Sequence, residues 1–202
     1  MTSADRLRIL TVCTGNVCRS PLAERLLQTG FDEICPDAVE VRSAGTHALV
    51  GADAEPGSRA IASALGASLA GFSARQLTTP MLTGADLVLA MSTEHRAVIL
   101  QLAPSAFRKT FTLREFARVL SGAALEKAEA ASTASVREAW LATIAEAAGR
   151  RQAGPAPDDD ITDPFREGPE VYRRMAEELV PAVDAILTAG DSVRRRKHAG
   201  SP

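Results

Sequence analysis

Residues 7–27, LRILTVCTGNVCRSPLAERLL, are the stretch that decides the fold. A short apolar run rich in β-branched residues ends at Cys13, a loop of small residues follows, and a helical pattern starts near Pro21. A strand, a loop and a helix in this order form the first half of a parallel β-α-β unit. The stretch therefore predicts an α/β fold organised around the loop.

This loop has the properties of an anion-binding site. Its backbone N–H groups can converge on one point, and the following helix adds unpaired N–H groups and the positive end of its dipole. Gly15 permits a sharp turn and Ser20 suits the N-cap position. We expect a tetrahedral phosphate to bind to the loop residues Thr14, Gly15, Asn16, Val17, Cys18, Arg19 and Ser20.

Two reactive side chains, Cys13 and Arg19, stand at the ends of the loop. N–H donors, a helix N-terminus and a guanidinium group favour the thiolate form of a cysteine. A guanidinium group can also hold two phosphoryl oxygens with its planar fork. A C-x5-R pattern alone is weak evidence, because Cys13 could be a buried apolar residue and Arg19 a surface residue. The strand before this pattern and the helix after it favour Cys13 as a nucleophile and Arg19 as a phosphate clamp.

Residues 12–24, VCTGNVCRSPLAE, resemble the signature of the low-molecular-weight protein tyrosine phosphatase family, which thioredoxin-coupled arsenate reductases share. Similar segments occur at residues 41–46, 73–78, 86–91 and 163–165. The resemblance implies hydrolysis of phosphate monoesters, foremost phosphotyrosine on proteins, through a phosphocysteine intermediate on Cys13. It implies tyrosine-phosphorylated proteins as partners, among them a bacterial tyrosine kinase, and phosphate or other oxyanions as inhibitors in the loop.

Transfer of a phosphoryl group to Cys13 needs a general acid for the departing oxygen. We predict Asp163 on a mobile loop, because its Asp-Pro-aromatic context matches that of the family's acid. The neighbouring Asp158, Asp159 and Asp160 are expected to be solvated loop residues.

The resemblance also implies roles for residues around the loop. Ser43 would hold Asn16, Leu49 would form one wall of the cleft, and Phe165 would flank a phenyl ring. Arg75 is expected either to orient groups near the site or to form a surface ion pair. Phe72 stands where the family commonly has a histidine, and His47 is expected to be an ordinary loop residue.

Alternative functions stay open at this point. Protein-arginine phosphatase activity is one alternative, because Arg166 stands where eukaryotic tyrosine phosphatases of the family commonly have a second tyrosine. Val17 favours phosphotyrosine, because it resembles the tyrosine-type loop more than the threonine of the family's protein-arginine phosphatases. An arsenate reductase of the same fold would need a cysteine relay, and beyond Cys18 the chain offers Cys35 alone. A non-catalytic phosphate-binding module is a further option, as is a redox sensor in which Cys18 is the disulfide partner of Cys13.

The whole chain of 202 residues, 46% of them hydrophobic, fits a single α/β domain over residues 1–190. A doubly wound four-stranded parallel sheet flanked by helices is expected, with strands near residues 39–43, 86–91 and 109–112 following the first. Helices are predicted near residues 21–30, 58–65, 93–102, 113–120 and 169–187. An alanine-rich insert near residues 121–157 predicts one helix over 134–148, packed by Trp140 as a decoration over the sheet edge.

Composition narrows the environment and the ligands. Three cysteines and a polar N-terminus favour the cytoplasm, and we expect neither a membrane nor a nucleic-acid partner for a chain of net charge −2. Four basic residues concentrate in a tail at 191–202 that is expected to be disordered. No cofactor or metal is expected, because a C-x4-C pair and three scattered histidines give no ligand set. The oligomeric state is left open.

Overall fold

Four parallel strands form one sheet in the order β2-β1-β3-β4. They are β1 (Leu7–Cys13), β2 (Val39–Gly45), β3 (Leu87–Ala90) and β4 (Thr110–Thr112). The central strand β1 pairs with β2 from Leu7 opposite Val39 to Cys13 opposite Gly45, and with β3 on its other side. The structure, a computed structural model, describes residues 5–121, 135–151 and 159–199. It confirms the predicted four-stranded α/β fold.

Helices cover both faces of the sheet. They are α1 (Arg19–Ile34), α2 (Pro56–Ala64), α3 (Thr79–Gly84), α4 (Thr93–Leu102), α5 (Leu113–Ser121), α6 (Val136–Gly149) and α7 (Pro169–Ala199), with a 3₁₀ helix at Pro104–Lys109. Alternate residues of β1 enter two separate cores. Leu7 and Ile9 join the larger core with α1, α5, α6 and α7, whereas Leu10 and Val12 join a smaller one beside α3 and α4. The carboxyl end of β1 carries the loop between these two layers.

Helix α1 is longer than the predicted 21–30, because it continues past Gly30 to Ile34. Gly30 marks a close contact, since a Cβ at this position would lie 2.4 Å from a methyl carbon of Leu187 in α7. Phe31 is fully buried one residue later, and its carbonyl accepts the N–H of Cys35 at the end of the helix. Packing against α7 therefore carries the helix through its glycine.

The prediction of a disordered tail is wrong for residues 191–199, because α7 continues to Ala199. Val193 is buried in the larger core, and Gly190 lies against Phe31. Asp191 pairs with Arg194 at 2.9 Å and with Arg195 at 2.6 Å, which gives the charged turn i,i+3 and i,i+4 support. The apolar stripe of the helix thus extends into the predicted tail as far as Val193, just before the basic residues, while residues 200–202 lie outside the described part.

The insert helix α6 occurs close to the predicted 134–148, and Trp140 is fully buried as expected. Its ring packs edge-on against Phe31 at 5.9 Å and lies 6.4 Å from Phe116. The helix does not cover a sheet edge, however. Arg137 pairs at 2.7 Å with Asp86, which immediately precedes β3, and α6 contacts β1 and the 3₁₀ helix. It therefore packs at the amino ends of the strands, opposite the loop; residues 122–134 and 152–158 are not described.

We expect Trp140→Ala to lower the free energy of unfolding by about 3–5 kcal/mol, as for other large aromatic side chains removed from a core. Trp140→Phe is the matched control, because it keeps a ring and removes an indole N–H that has no partner among the described residues. Urea unfolding followed by circular dichroism measures both. Equal stability of Trp140→Ala and the parent would show that α6 is not part of the folding unit.

Candidate active site

The loop between β1 and α1 turns its carbonyl groups outward. The carbonyl oxygens of Cys13, Thr14, Gly15 and Val17 accept the backbone N–H groups of Thr46, His47, Leu49 and Glu55, at 2.8–3.0 Å. These donors belong to the segment that follows β2. With its carbonyls engaged on that side, the loop is free to present its N–H groups to the inside, where α1 begins.

Asn16 closes the loop from within. It is fully buried, and with φ = 54° it takes the left-handed conformation, whereas Gly15, which was expected to permit the sharp turn, does not have a positive φ. Asparagine tolerates this conformation because its short side chain makes local hydrogen bonds. Its Oδ1 accepts the N–H of Arg75 at 2.8 Å, which fixes the amide orientation, and its Nδ2 donates to Ser20 Oγ at 2.9 Å and Ser43 Oγ at 2.8 Å.

The sulfur of Cys13 lies 3.0 Å from Ser20 Oγ and is buried at the floor of the loop. Because Asn16 donates to Ser20 Oγ, the single hydroxyl proton of Ser20 is available to the sulfur. Ser20 is not the N-cap that the sequence suggested. Helix α1 begins at Arg19, two residues before the start at Pro21 that a Ser20 N-cap implies, so the serine side chain points into the loop rather than capping the helix.

Glu24 extends this network and was missed at the sequence level. Its buried carboxylate accepts a short hydrogen bond from Ser43 Oγ and lies 3.0 Å from Nη2 of Arg75. Of the two alternatives for Arg75, the structure therefore favours orientation of groups near the loop, through both its backbone N–H and its guanidinium group. Phe72 packs in the larger core.

Arg19 and Asp163 meet at the rim of the loop. The guanidinium group of Arg19 is buried, with Nη2 2.6 Å from Asp163 Oδ2 and Nη1 donating to the carbonyl of Ile161 at 3.2 Å. Asp163 is 48% exposed at its side chain, and its Oδ1 accepts the N–H of Phe165 at 3.2 Å. The clamp and the candidate acid thus occupy the same small region.

Tertiary contacts anchor the segment that carries Asp163. The N–H of Ile161 donates to the carbonyl of Met91 at the end of β3, at 2.9 Å. The N–H and Oγ1 of Thr162 donate to the carboxylate of Glu178 in α7, at 2.6 and 2.9 Å. The mobile loop of the prediction is therefore held on both sides immediately before its aspartate.

The neighbouring aspartates have other partners. Asp159 is buried and pairs with Arg118 at 2.9 Å, so the expectation that it is a solvated loop residue is wrong. Asp160 is exposed, and its carboxylate accepts the N–H of Thr93 at 2.7 Å at the start of α4. Asp158 lies outside the described residues. Of the three described aspartates of this segment, Asp163 is the one that reaches Arg19.

The cleft above the loop has a volume of about 130 Å³. It is lined by Cys13, Thr14, Gly15, Val17, Cys18, Arg19, His47, Leu49, Asp163 and Phe165. His47 was predicted to be an ordinary loop residue, but it borders this cleft. The guanidinium group of Arg166 stacks on the Phe165 ring at 5.1 Å. Leu49 and Phe165 give the mouth of the cleft an apolar character.

The remaining cysteines are buried. Cys18 Sγ lies 3.6 Å from the hydroxyl of Tyr172, and burial raises the pKa of the Cys18 thiol to about 12. Cys35 follows the last residue of α1, a helix of 16 residues and therefore about 24 Å long. Cys18 borders the nucleophile's cleft, whereas Cys35 lies at the far end of the helix.

His95 is a second residue that sequence reasoning missed. Its Nε2 lies 2.8 Å from Thr14 Oγ1, and its Nδ1 lies 2.7 Å from Ser92 Oγ, the N-cap of α4. Burial, together with the charge of Arg19, lowers the pKa of His95 to about 4, so that the imidazole is neutral at pH 7. Thr14 is 81 residues away in sequence, and no local pattern signals this contact.

Within the described ranges, we find no cluster of three or more His, Cys, Asp or Glu side chains placed to hold a metal ion. Of the helices in those ranges, none combines the length and the apolar character needed to span a membrane.

A Cys-x5-Arg loop between a parallel strand and a helix, with an aspartate beside the arginine, is the architecture of cysteine-dependent phosphatases. The model of the family "Low molecular weight phosphotyrosine protein phosphatase" matches residues 8–135, and the chain belongs to this family.

Relatives of two kinds are similar to the chain. The Escherichia coli low molecular weight protein-tyrosine-phosphatase Etp is 44% identical over 102 residues, which are 50% of this chain and 66% of Etp. The match thus spans slightly less than two thirds of that relative. The protein-arginine-phosphatase of Geobacillus stearothermophilus is 34% identical over 179 residues, which cover 89% of this chain and 93% of the relative.

Solved structures show the same likeness. The YwlE arginine phosphatase from Geobacillus stearothermophilus is 32% identical, with a TM-score of 0.64 over 90% of this chain and 91% of its own. Vibrio vulnificus Wzb in complex with benzylphosphonate is 25% identical, with a TM-score of 0.64 over 91% of this chain and 98% of its own. The fold therefore agrees with both structures over 90–91% of the chain.

The depressed pKa of His95 predicts an acid-sensitive stability. An unfolded histidine takes up a proton near pH 6.5, whereas folded His95 does so near pH 4. The free energy of unfolding should therefore fall as the pH is lowered from about 6.5 to 4, by roughly 2–3 kcal/mol from this residue. Urea unfolding of the parent and of His95→Gln across this range measures the difference. Parallel pH profiles would contradict the prediction.

Proposed function

We propose that this chain hydrolyses phosphate monoesters, foremost phosphotyrosine on proteins, through a covalent phosphocysteine intermediate on Cys13. One observation carries the proposal: Ser20 Oγ lies 3.0 Å from the Cys13 sulfur, and Arg19 and Asp163 meet at 2.6 Å at the rim of the same cleft. A nucleophile, an oxyanion clamp and a candidate acid are thereby within reach of one phosphoryl group.

In the first step, the thiolate of Cys13 attacks phosphorus in line with the leaving oxygen. An S–P bond forms while the O–P bond breaks, and Asp163 in its acid form gives its proton to the departing phenolate. The guanidinium group of Arg19 and the N–H groups of the loop hold the equatorial oxygens. Asp163 is half-exposed, so solvent can supply its proton.

In the second step, water hydrolyses the phosphocysteine. The Asp163 carboxylate takes a proton from the water, whose oxygen attacks phosphorus while the S–P bond breaks. The departing sulfur receives the hydrogen bond of Ser20, 3.0 Å away. Phosphate leaves, and Asp163 is again protonated for the next cycle.

The walls of the cleft support an aryl ester as the substrate. Val17, Leu49 and Phe165 offer apolar surface to a phenyl ring. Among the residues that line the cleft, the acidic one is Asp163, and it faces Arg19. A phosphoarginine side chain would bring a guanidinium group that competes with Arg19 for this carboxylate.

Protein-arginine phosphatase activity is the second candidate. It is favoured by the Geobacillus stearothermophilus relative, whose match covers 89% of this chain compared with 50% for Etp. Arsenate reduction lacks comparable support, because Cys35 lies the length of α1 from the loop. As partners we propose tyrosine-phosphorylated proteins, including a bacterial tyrosine kinase, and we propose the cytoplasm as the compartment.

We expect a higher kcat/KM for a phosphotyrosine peptide than for a phosphoarginine peptide of the same sequence. Phe165→Ala should raise KM for the phosphotyrosine peptide about tenfold, because it removes ring contact with the substrate. The control is Phe107→Ala, an exposed phenylalanine of the 3₁₀ helix that does not line the cleft. Faster hydrolysis of phosphoarginine by the parent would assign the second candidate instead.

For the chemistry, we expect Cys13→Ser to abolish hydrolysis of para-nitrophenyl phosphate. Asp163→Asn should lower kcat by roughly 10²–10⁴-fold, the usual contribution of a general acid, while phosphate still inhibits. Asp160→Asn is the matched control on the same segment and should change kcat by less than about twofold. The side-chain amide oxygen of this variant can still accept the N–H of Thr93. Parent-like turnover by Cys13→Ser would overturn the mechanism.

A further inference from the structure

Thr14, His95 and Ser92 form a chain of hydrogen bonds that ends in the cleft. We propose that this chain makes the Thr14 hydroxyl a hydrogen-bond donor to the bound phosphoryl group, with His95 and Ser92 as positioning residues. The inference rests on the proposed function, since it assigns a further contact to the same phosphate. It adds a side-chain donor to the N–H groups of the loop.

The three residues connect the buried interior to the cleft. Thr14 follows the nucleophile, lines the cleft and is exposed, whereas His95 and Ser92 are buried. Ser92 Oγ accepts the backbone N–H of His95 at 3.2 Å as the N-cap of α4. The chain therefore runs from a buried helix end to the surface that faces the substrate.

The number of protons on His95 limits the hydrogen bonds that it can donate. A neutral imidazole carries one N–H, and His95 is neutral at pH 7 because burial and the charge of Arg19 lower its pKa to about 4. The other charged groups that act on it, Asp163 and Asp160, raise its pKa by less than burial and Arg19 lower it. One ring nitrogen therefore donates and the other accepts.

The two tautomers leave different protons without a partner. If Nδ1 carries the proton, it donates to Ser92 Oγ, and the hydroxyl proton of Ser92 has no acceptor among the described residues. If Nε2 carries the proton, Ser92 donates to Nδ1 and Nε2 donates to Thr14 Oγ1. In that case the Thr14 hydroxyl proton is the one left over.

The buried environment selects between these tautomers. A buried hydroxyl without an acceptor costs free energy, whereas an exposed one is solvated. Ser92 is buried and Thr14 is exposed, so the Nε2–H tautomer is the better arrangement. It presents the Thr14 O–H to the cleft, where a phosphoryl oxygen can accept it.

The tautomer is tested directly by ¹⁵N NMR of the full-length parent at pH 7. We expect a pyrrole-like chemical shift at Nε2 of His95 and a pyridine-like shift at Nδ1. The resonances are assigned with His95→Gln, which removes them. The opposite pattern would mean that Thr14 donates to His95 rather than to substrate, and it would overturn the inference.

The donor is tested by Thr14→Val, with Thr14→Ser as the matched control that keeps the hydroxyl. We expect Thr14→Val to weaken binding of inorganic phosphate, measured by calorimetry, about tenfold, which is typical for loss of a hydrogen bond to a charged group. Thr14→Ser should remain within about twofold of the parent. Parent-like phosphate affinity in Thr14→Val would overturn the inference.

Calorimetry measures phosphate binding without turnover, so the role of Thr14 can be tested independently of the proposed hydrolysis. If the parent binds phosphate but hydrolyses neither para-nitrophenyl phosphate nor a phosphopeptide, the proposed function fails, and the phosphate affinities still decide the role of Thr14. If the parent is active, kcat/KM for para-nitrophenyl phosphate should fall in Thr14→Val by a factor similar to the loss of phosphate affinity.

Discussion

The buried amide of Asn16 is the interaction on which the site depends. It ties the loop to itself at Ser20, to β2 at Ser43 and to the segment after α2 at the backbone N–H of Arg75. Each of these bonds has one allowed direction, because the arginine N–H can only donate to the amide oxygen. The amide nitrogen must then donate to both serines, and the Ser20 proton is left for an acceptor, of which the Cys13 sulfur at 3.0 Å is nearer than the Ala44 carbonyl at 3.5 Å. A single buried side chain thus fixes both the shape of the loop and the polarity at its sulfur.

This arrangement requires β2 and the loop to approach each other closely. A Cβ at Gly45 would lie 2.4 Å from the carbonyl oxygen of Thr14, so the end of β2 needs a residue without a side chain. The same close approach lets Ser43 reach both Asn16 and the carboxylate of Glu24. Glu24 is in turn paired with Arg75, so the charge of the buried carboxylate is compensated. The polar network and the backbone contact thus join the same two elements, the loop and the end of β2.

Features that depend on neighbouring residues in the chain could be predicted from the sequence, whereas contacts between residues far apart in the chain could not. The strand, loop and helix around Cys13, and the insert helix around Trp140, carry local signals in their apolar spacing and small residues. The helix predicted to end near residue 30 and the tail predicted from residue 191 were wrong at these points, because the contact of Gly30 with Leu187 and the burial of Val193 depend on tertiary packing. The contacts of His95 with Thr14, and of Asp159 with Arg118, join residues 81 and 41 positions apart. Such pairings depend on the strand order, which propensity and periodicity do not encode.

Two parts of the chain that pack against the carboxyl end of α1 also act on the cleft through this helix. The amino end of this helix supplies the N–H groups and the dipole of the loop, and its direction determines where they point. Its carboxyl end is held by Phe31, whose ring contacts Trp140 of the insert helix and lies where Gly190 of α7 leaves room for it. The first contact comes from the insert that was expected to be a decoration, and the second from Gly190, the residue just before the predicted tail at 191–202. Because a helix is stiff, fixing Phe31 between two partners also fixes the far end, beside Cys13 and Arg19. The insert and the end of α7 are therefore structural supports of the phosphate loop, although neither reaches the cleft.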